Sequence, residues 1–315
     1  MGEKTTTAKS IQPVQNKNFE PEWFVDRKLP WWSYFAKRWL KAGPLPKHVA
    51  IIMDGNRRYA RTHKYGSVIE GHSRGFTQLT QVLDWCRELG AIEVTVYAFS
   101  IENFKRSDEE VQGLMKMAEK KFEKLLQERV KLEEKRIRFR FFGNLKLLPI
   151  KLQKLMAEIE WITKDFEQGY INVCLAYTAQ DEIARSMEYI RRGVQKGLLE
   201  EDDINEWLVS KCLDTRKSFD VDLLIRTSGE NRLSDFMLWQ CSNCYLHVVD
   251  VLWPEFDFSH LYKAFLAFQK NYRPIEELNY VIREDVSEKA KEKSQDFLDW
   301  MEKDRETYTL SLLES

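Results

Sequence analysis

His48-Val-Ala-Ile-Ile-Met-Asp-Gly-Asn-Arg-Arg58 is the stretch of sequence that decides the fold. Its first six residues are mostly apolar and rich in β-branched side chains, which predicts a buried β-strand. A carboxylate, a glycine, an amide and two guanidinium groups follow at once, at 54–58. Glycine lets the backbone approach a ligand, a carboxylate can hold Mg²⁺ and arginine binds phosphate oxygens, so this strand end suits a metal-bound phosphate. An Asx-type turn with two surface arginines explains the same five residues equally well.

Further runs of the same character alternate with helical patterns along the chain. The predicted strands cover 48–53, 92–99, 137–142, 170–177, 221–225 and 245–249. The predicted helices cover 73–89, 107–135, 148–168, 180–195, 203–213 and 258–270, and the second opens with the capping-box pattern of Ser107 and Glu110. This alternation predicts an α/β fold with a six-stranded, mostly parallel sheet flanked by helices. Ligands of such sheets bind beyond the carboxyl ends of the strands.

Two more predicted strand ends carry phosphate-binding residue types. The second strand continues into Ser100-Ile-Glu-Asn-Phe-Lys-Arg106, and the fifth into Arg226-Thr-Ser-Gly-Glu-Asn-Arg-Leu-Ser234. Hydroxyl groups and paired guanidinium forks suit a diphosphate, because guanidinium matches phosphate oxygens in a bidentate way. Three such strand ends favour an anion-binding site over charged residues that simply lie at the surface.

Composition limits the class of protein. The chain has 315 residues, with 49 Lys and Arg against 50 Asp and Glu, a formal net charge of -1 and 43% hydrophobic residues. A chain without a basic field is not expected to bind nucleic acid, and a chain this rich in charge is not a polytopic membrane protein. Five cysteines without an apolar leader are typical of reduced thiols in a cytosol-facing protein. Cys241 and Cys244, with His247 nearby, are weak evidence for zinc because no second ligand pair accompanies them, so a structural or incidental role is favoured.

The predicted organisation has four parts. Residues 1–29 form a flexible tail, 30–43 an amphipathic helix, 44–274 the α/β domain and 275–315 a charged helical extension that is solvated or packed on a partner. The 30–43 segment places Trp31, Trp32, Phe35, Trp39 and Leu40 among basic residues at helical spacing. It can pack on the domain, rest on lipid headgroups, or do both.

Four sequence blocks resemble the cis-prenyltransferases, the family of undecaprenyl and dehydrodolichyl diphosphate synthases. The blocks are 48–58, Gly71-His-Ser-Arg-Gly75, 97–107, and 222–235 continuing to 252–255, and the resemblance covers roughly 43–270. Their variants look like the eukaryotic dehydrodolichyl diphosphate synthase branch. The resemblance implies a sheet that encloses a hydrophobic tunnel. It also implies elongation of farnesyl diphosphate by cis additions of isopentenyl diphosphate, giving a long polyprenyl diphosphate for dolichol synthesis and protein glycosylation.

The resemblance also implies roles for individual residues. Asp54 would be the Mg²⁺ ligand, Ser100 and Asn103 would lie near the reacting centre, and Phe104 would line the wall beneath. The allylic diphosphate would contact Gly55, Asn56, Arg57, Arg58 and Arg106 with help from His72, and isopentenyl diphosphate would contact Arg226, Arg232 and Ser234.

Three departures from the bacterial pattern bear on metal and partner. Val68 stands where bacterial members carry an arginine for the allylic diphosphate, and Tyr245 stands where they carry an acidic partner of the metal site. No Arg-x-Gly triplet follows residue 270, so we expect a Nogo-B-receptor-like subunit to supply one in a heteromer. The expected location is the cytosolic face of the endoplasmic reticulum membrane, through peripheral contact.

Other classes of function are weaker. A non-catalytic scaffold subunit would not need Asp54 and the arginines of three strand ends. A trans-type prenyl synthase would need two Asp-Asp-x-x-Asp clusters, and only Asp202-Asp-x-x-Glu206 comes near. P-loop, Rossmann and Gly-x-Ser-x-Gly motifs do not occur.

Overall fold

The computed structural model describes residues 23–24, 33–282 and 287–314. Within these ranges six strands form one sheet: β1 (His48–Ile52), β2 (Glu93–Ser100), β3 (Ile137–Phe142), β4 (Gly169–Tyr177), β5 (Leu223–Thr227) and β6 (Tyr245–Val249). Their order is β3-β4-β2-β1-β5-β6, and every neighbouring pair is parallel. The predicted six-stranded parallel sheet is therefore confirmed.

Helices connect and cover the strands. They are α1 (Ser33–Leu40), α2 (Asn56–Thr62), α3 (Val68–Leu89), α4 (Asp108–Gln127), α5 (Arg129–Lys135), α6 (Ile150–Thr163), α7 (Ala179–Gln195), α8 (Glu206–Cys212), α9 (Phe258–Ile282), α10 (Glu288–Lys293) and α11 (Gln295–Glu314). No helix of the described ranges is both long enough and apolar enough to cross a bilayer.

Several predicted boundaries and segments differ from the structure. Helix α3 begins at Val68 rather than at 73, and α6 ends at Thr163 rather than at 168. The short helix α2 begins two residues after Asp54, where the sequence predicts only a loop. The helix predicted over 107–135 is divided at Glu128, whose carboxylate accepts hydrogen bonds from the backbone N–H groups of Trp23 and Phe24. Ser107 caps α4 as its pattern predicts, but the Glu110 side chain binds Arg106 instead of closing the box. Helix α9 runs beyond the predicted end at 270 and continues through Pro274.

Burial explains the positions of the strands in the sheet. Every residue of β1 and β5 is buried, as expected for central strands covered by helices on both faces. The edge strand β3 alternates buried phenylalanines, Phe139 and Phe141, with half-buried arginines, Arg138 and Arg140. The largest core cluster lies between the phenylalanine face of the sheet and the helices α3, α4 and α9.

Two parts of the chain predicted to be peripheral contribute to the core. Trp23, within the predicted tail, is only 4% exposed, packs edge-on against Phe76 and Phe139 and donates its indole N–H to the Lys121 carbonyl oxygen at 2.6 Å. Apart from Trp23 and Phe24, the residues of 1–29 lie outside the described residues, as do the predicted helix residues Pro30, Trp31 and Trp32. In the predicted extension, Phe297 and Met301 of α11 are buried against this same chain.

Candidate active site

The candidate site lies where the connections of the sheet change direction. Strand β1 continues toward β2 on one side, whereas β5, which is paired with β1, continues toward β6 on the other. Such a switch point opens a crevice at the carboxyl ends of the two strands. Asp54 follows β1 there. The sequence predicts that Arg226 and Thr227 begin a loop, but in the structure they are the last two residues of β5.

An ion pair joins these two strand ends. The Arg226 Nη2 group donates to Asp54 Oδ2 at 2.9 Å, and its Nη1 group donates to Ser234 Oγ at 2.8 Å and to the Arg232 carbonyl oxygen. The Arg226 side chain is 2% exposed, whereas that of Asp54 is 31% exposed. Arg226 therefore orders the loop that carries Ser234, while Asp54 keeps one side open to the crevice.

Thr227 was not singled out from the sequence, yet it fixes the backbone of Asp54. Its hydroxyl group donates to the Asp54 carbonyl oxygen at 2.8 Å and accepts from the Asp54 N–H at 3.0 Å. The Asp54 carboxylate is held from the other side, because Oδ1 accepts from the Gly55 N–H at 2.7 Å. The carboxylate position is thus set by contacts from both strand ends.

A second group of cations faces solvent beside this pair. The Arg58 guanidinium donates to the Ser228 carbonyl oxygen at 3.3 Å and lies 3.5 Å from the carboxylate of Glu230, which also pairs with Arg232. Arg58 and Arg232 are 47% and 61% exposed, so both can reach an incoming anion. The Glu230 carboxylate thus pairs with both arginines.

The loop after β5 is strained. Four of its residues other than glycine have left-handed backbone, with φ of 75° at Ser228, 52° at Ser234, 57° at Asp235 and 47° at Met237. Each such residue costs on the order of 1 kcal/mol or more, and strain of this kind concentrates at functional sites. The loop that presents Arg232 and Ser234 to the crevice therefore has its shape imposed by its surroundings.

The end of β2 adds a hydroxyl, an amide and a third arginine. Ser100 Oγ accepts from the Glu102 N–H at 3.1 Å, and Asn103 Oδ1 accepts from the Ser100 N–H at 3.2 Å, so the two side chains cap one short helical turn. Phe104 packs edge-on against Phe99 beneath them. Arg106 donates to Glu110 at 2.8 Å.

His72 lies beside this arginine in an unusual protonation environment. Its Nε2 atom is 3.9 Å from Glu110 Oε1, is buried and has no hydrogen-bond partner among the described residues. Burial, followed by the positive charges of Arg106 and Arg57, lowers the pKa of His72 to about 4. The imidazole is therefore neutral at physiological pH.

Glycines bring α3 against the start of α2. A Cβ atom on Gly75 would lie 2.1 Å from Asn56 Oδ1, and one on Gly71 would lie 2.3 Å from the Asn56 carbonyl oxygen. Gly55 has φ of +104°, a conformation that glycine adopts without strain. The Asn56 Oδ1 atom is buried beside Gly75 and has no hydrogen-bond partner among the described residues.

Tyr245 occupies the opposite end of the sheet from these groups. It pairs with Leu223 at the start of β5, whereas Thr227 pairs with Val249. Four residues of strand separate the two levels by about 13 Å. Within this chain Tyr245 is therefore too far from Asp54 to share a metal with it. Val68, the other position that departs from the bacterial pattern, is the first residue of α3.

The donor set fits a metal that is held mainly by substrate. The described residues contain no group of three or more His, Cys, Asp or Glu side chains that could hold a metal ion, and the Cys241, Cys244 and His247 set is therefore not such a group. Mg²⁺ is often bound by one or two carboxylates plus substrate phosphates. The open side of Asp54, surrounded by phosphate-binding arginines, meets that requirement.

Comparison with known proteins places this geometry in context. The prenyltransferase family described as "Putative undecaprenyl diphosphate synthase" matches residues 52–276. The human dehydrodolichyl diphosphate synthase complex subunit DHDDS is 46% identical over 273 residues, which cover 87% of this chain and 82% of the relative. A geranylgeranyl-diphosphate-specific tritrans,polycis-undecaprenyl-diphosphate synthase of Pyrococcus furiosus is 43% identical, with 74% of this chain and 88% of the relative covered.

A solved structure shares the fold. Lavandulyl diphosphate synthase from Lavandula x intermedia, in complex with dimethylallyl diphosphate, superposes with a TM-score of 0.68 at 31% identity. The similarity covers 71% of this chain and 95% of that one.

Proposed function

Because the chain belongs to the undecaprenyl diphosphate synthase family of prenyltransferases, we propose that it is a cis-prenyltransferase of the dehydrodolichyl diphosphate synthase type. It elongates farnesyl diphosphate with isopentenyl diphosphate to a long-chain polyprenyl diphosphate, the precursor of dolichol for protein glycosylation. The observation that carries this proposal is the Asp54–Arg226 pair at the switch point, with arginines from three strand ends around it.

Two diphosphates require two sets of cations. Arg57, Arg58 and Arg106, with the Gly55 and Asn56 backbone, bind the allylic diphosphate, and Arg226, Arg232 and Ser234 bind isopentenyl diphosphate. Negative charge builds on the allylic diphosphate as its C–O bond breaks, and guanidinium groups fixed beforehand stabilise that charge. His72, being neutral, contributes a hydrogen bond without adding charge.

The order of the site contributes as much as its charge. Ser100 and Asn103 hold the end of β2 next to the reacting carbons, and Phe104 bounds the space beneath them. The isopentenyl double bond attacks the allylic carbon whose C–O bond to diphosphate breaks. A proton then passes from the face fixed by binding to a diphosphate oxygen or to a water oriented by Asn103, which sets the cis geometry. The growing apolar chain then extends into a hydrophobic tunnel on the phenylalanine face of the sheet, where the facing side chains of α3, α4 and β3 are apolar.

Asp54 would hold Mg²⁺ together with diphosphate oxygens. The ion supplies Lewis-acid neutralisation of the leaving group when bound. Asp54 in turn is oriented by its contacts with Arg226, Gly55 and Thr227.

The proposal is tested with Asp54→Asn rather than an alanine variant. Alanine would leave the buried Arg226 guanidinium unpaired, which destabilises a fold by about 3–5 kcal/mol. Asparagine keeps one of the two hydrogen-bond acceptors and loses the charge, so we expect a smaller loss of thermal stability than in Asp54→Ala. We expect labelled isopentenyl diphosphate incorporation to fall by at least about 100-fold. Asp165→Ala, which removes an exposed carboxylate, is the matched control. Full activity in Asp54→Asn would sink the assignment.

A partner subunit is the second part of the proposal. The human and mouse relatives are both designated complex subunits, and 271–315 contains no Arg-x-Gly triplet. We expect a Nogo-B-receptor-like subunit to supply that motif, so that the purified chain alone elongates farnesyl diphosphate much more slowly than the complex. Equal rates for chain and complex contradict this part and leave the prenyltransferase assignment intact.

Peripheral contact with the cytosolic face of the endoplasmic reticulum membrane is the third part. Helix α1 buries Leu40 against the domain while exposing Tyr34, Phe35 and Trp39 at 68%, 64% and 73%, next to Lys37 and Arg38. An aromatic face bordered by basic residues suits an anionic lipid surface. We expect the full chain to cosediment with vesicles containing phosphatidylserine, and Phe35→Ser with Trp39→Ser to abolish this. Unchanged cosedimentation of the double variant would refute the contact.

A further inference from the structure

A polar cavity of about 570 Å³ lies apart from the candidate active site. Its floor is the arginine side of β3, with Arg138 and Arg140, and its walls are α6 and α7. Helix α11 forms the roof through residues such as Arg305 and Tyr308. None of the residues assigned above to the two diphosphates lines it.

The cavity has an excess of positive charge in a chain whose net charge is -1. Nine Lys and Arg side chains line it against six Asp and Glu side chains, an excess of three. Several of those acids are already neutralised by ion pairs: Asp214 binds Arg185 at 2.7 Å and Arg305 at 3.1 Å, and Asp304 binds Arg192 at 3.1 Å. Arg140 also pairs at 3.4 Å with Glu93, which does not line the cavity, so an excess of two positive charges remains.

Two of the arginines also have unused donors. The Nε atoms of Arg140 and Arg305 are buried and have no hydrogen-bond partner among the described residues. Buried polar groups of native proteins are nearly always hydrogen-bonded, so an unpaired guanidinium N–H indicates a missing acceptor. Arg140 comes from the floor and Arg305 from the roof, so an acceptor between them would join α11 to the sheet.

Size and chemistry together define the ligand. Cavities of about 300–1,000 Å³ are typical of small-molecule sites. Guanidinium forks prefer phosphate, and the remaining positive charge favours a multivalent anion. We propose that this cavity binds a soluble phosphorylated small molecule with at least two negative charges, and that its binding fastens α11 to the catalytic domain.

The test titrates inorganic phosphate into the full-length chain in the absence of prenyl substrates and Mg²⁺. Hydrogen exchange of 295–314 is the main measurement, because a ligand that bound only at the strand-end crevice would not touch α11. We expect phosphate to slow exchange in α11 several-fold and to raise the unfolding temperature by a few degrees, since a ligand of the native state stabilises it. Arg232→Gln, which removes a cation of the crevice, should retain both effects.

Cavity variants decide the outcome. Arg138→Gln with Lys146→Gln should lose the slowing of α11 exchange, whereas Lys116→Gln with Lys120→Gln, two exposed lysines of α4, should keep it at the same net charge. If the first pair does not fold, Lys146→Gln with Lys164→Gln replaces it, because both side chains are exposed at the cavity mouth. An α11 exchange rate that ignores phosphate in the wild type, or slows equally in the cavity variants, overturns the proposal.

Discussion

At the scale of single residues, His72 links electrostatics to stability. Its folded-state pKa is about 4, below the ordinary 6.5, so between these pH values the unfolded chain binds the proton and the folded chain does not. The contribution of His72 to stability is fully present above pH 6.5 and is lost as pH falls toward 4. Between these two pH values the free energy of unfolding therefore falls by about 3 kcal/mol.

We therefore expect His72→Gln to flatten the dependence of unfolding free energy on pH between 6.5 and 4 by about 3 kcal/mol. Urea unfolding at a series of pH values measures it. His63→Gln, which removes an exposed histidine outside the site, is the control for the loss of an imidazole. A His72→Gln curve parallel to the wild type would mean that the imidazole gains a charge-stabilising partner in the folded protein.

Residue types at strand ends could be predicted from sequence, but their partners could not. Asp54 and Arg226 stand out because a charged side chain directly follows an apolar run. The clamp that Thr227 forms on Asp54 joins positions 173 apart and exists only because β1 and β5 are paired in one register. Glu230 pairs with both Arg58 and Arg232 because residues of the loop after β5 have left-handed backbone conformations. The sequence pattern does not predict those conformations.

At the scale of elements, the approach of α3 to α2 depends on Gly75. An added Cβ would lie 2.1 Å from Asn56 Oδ1 and 2.9 Å from Trp253 Cδ1, and the Trp253 indole already donates to the Gly75 carbonyl oxygen at 2.7 Å. Alanine gains at most about 1 kcal/mol in helix propensity, whereas overpacking costs about 1–3 kcal/mol. Crowding should prevail.

We expect Gly75→Ala to destabilise the fold and to reduce prenyl elongation, since Asn56 must shift. Gly66→Ala is the control, because no atom lies within 4 Å of its Cβ position, and its effect should stay within about 0.5 kcal/mol. Thermal unfolding and steady-state rates of both variants measure this. Equal stability and activity of the two would show that α3 does not constrain Asn56.

Strands were easier to predict than the ends of helices. The β-branched and aromatic runs mark all six strands within two residues at each end, because burial on both faces leaves little choice of residue. The sequence pattern does not predict helix α2, because three of its seven residues are arginines and no apolar stripe runs along it. The break at Glu128 depends on Trp23, more than 100 residues earlier, which no local pattern reveals.

At the scale of the whole molecule, charge is segregated rather than balanced. A net charge of -1 conceals arginines grouped at three strand ends and again in the cavity beneath α11. The sequence led us to expect a solvated or partner-packed extension after residue 275. Instead α11 joins the chain's own domain through Phe297 and through ion pairs of Glu302, Asp304 and Arg305.

Whether α11 is part of the cooperative fold is decided by Phe297→Ala. Phe297 is fully buried, and a Cβ on Gly193 of α7 would lie 2.5 Å from its ring, so the ring fills its space completely. Removing such a ring costs about 3–5 kcal/mol.

On the same helix Leu313 is 36% exposed, so Leu313→Ala should change stability little. We expect urea unfolding followed by circular dichroism and by tryptophan fluorescence to give one coincident transition, shifted to lower urea in Phe297→Ala alone. If both variants match the wild type, α11 is only loosely attached and the ion pairs do not hold it.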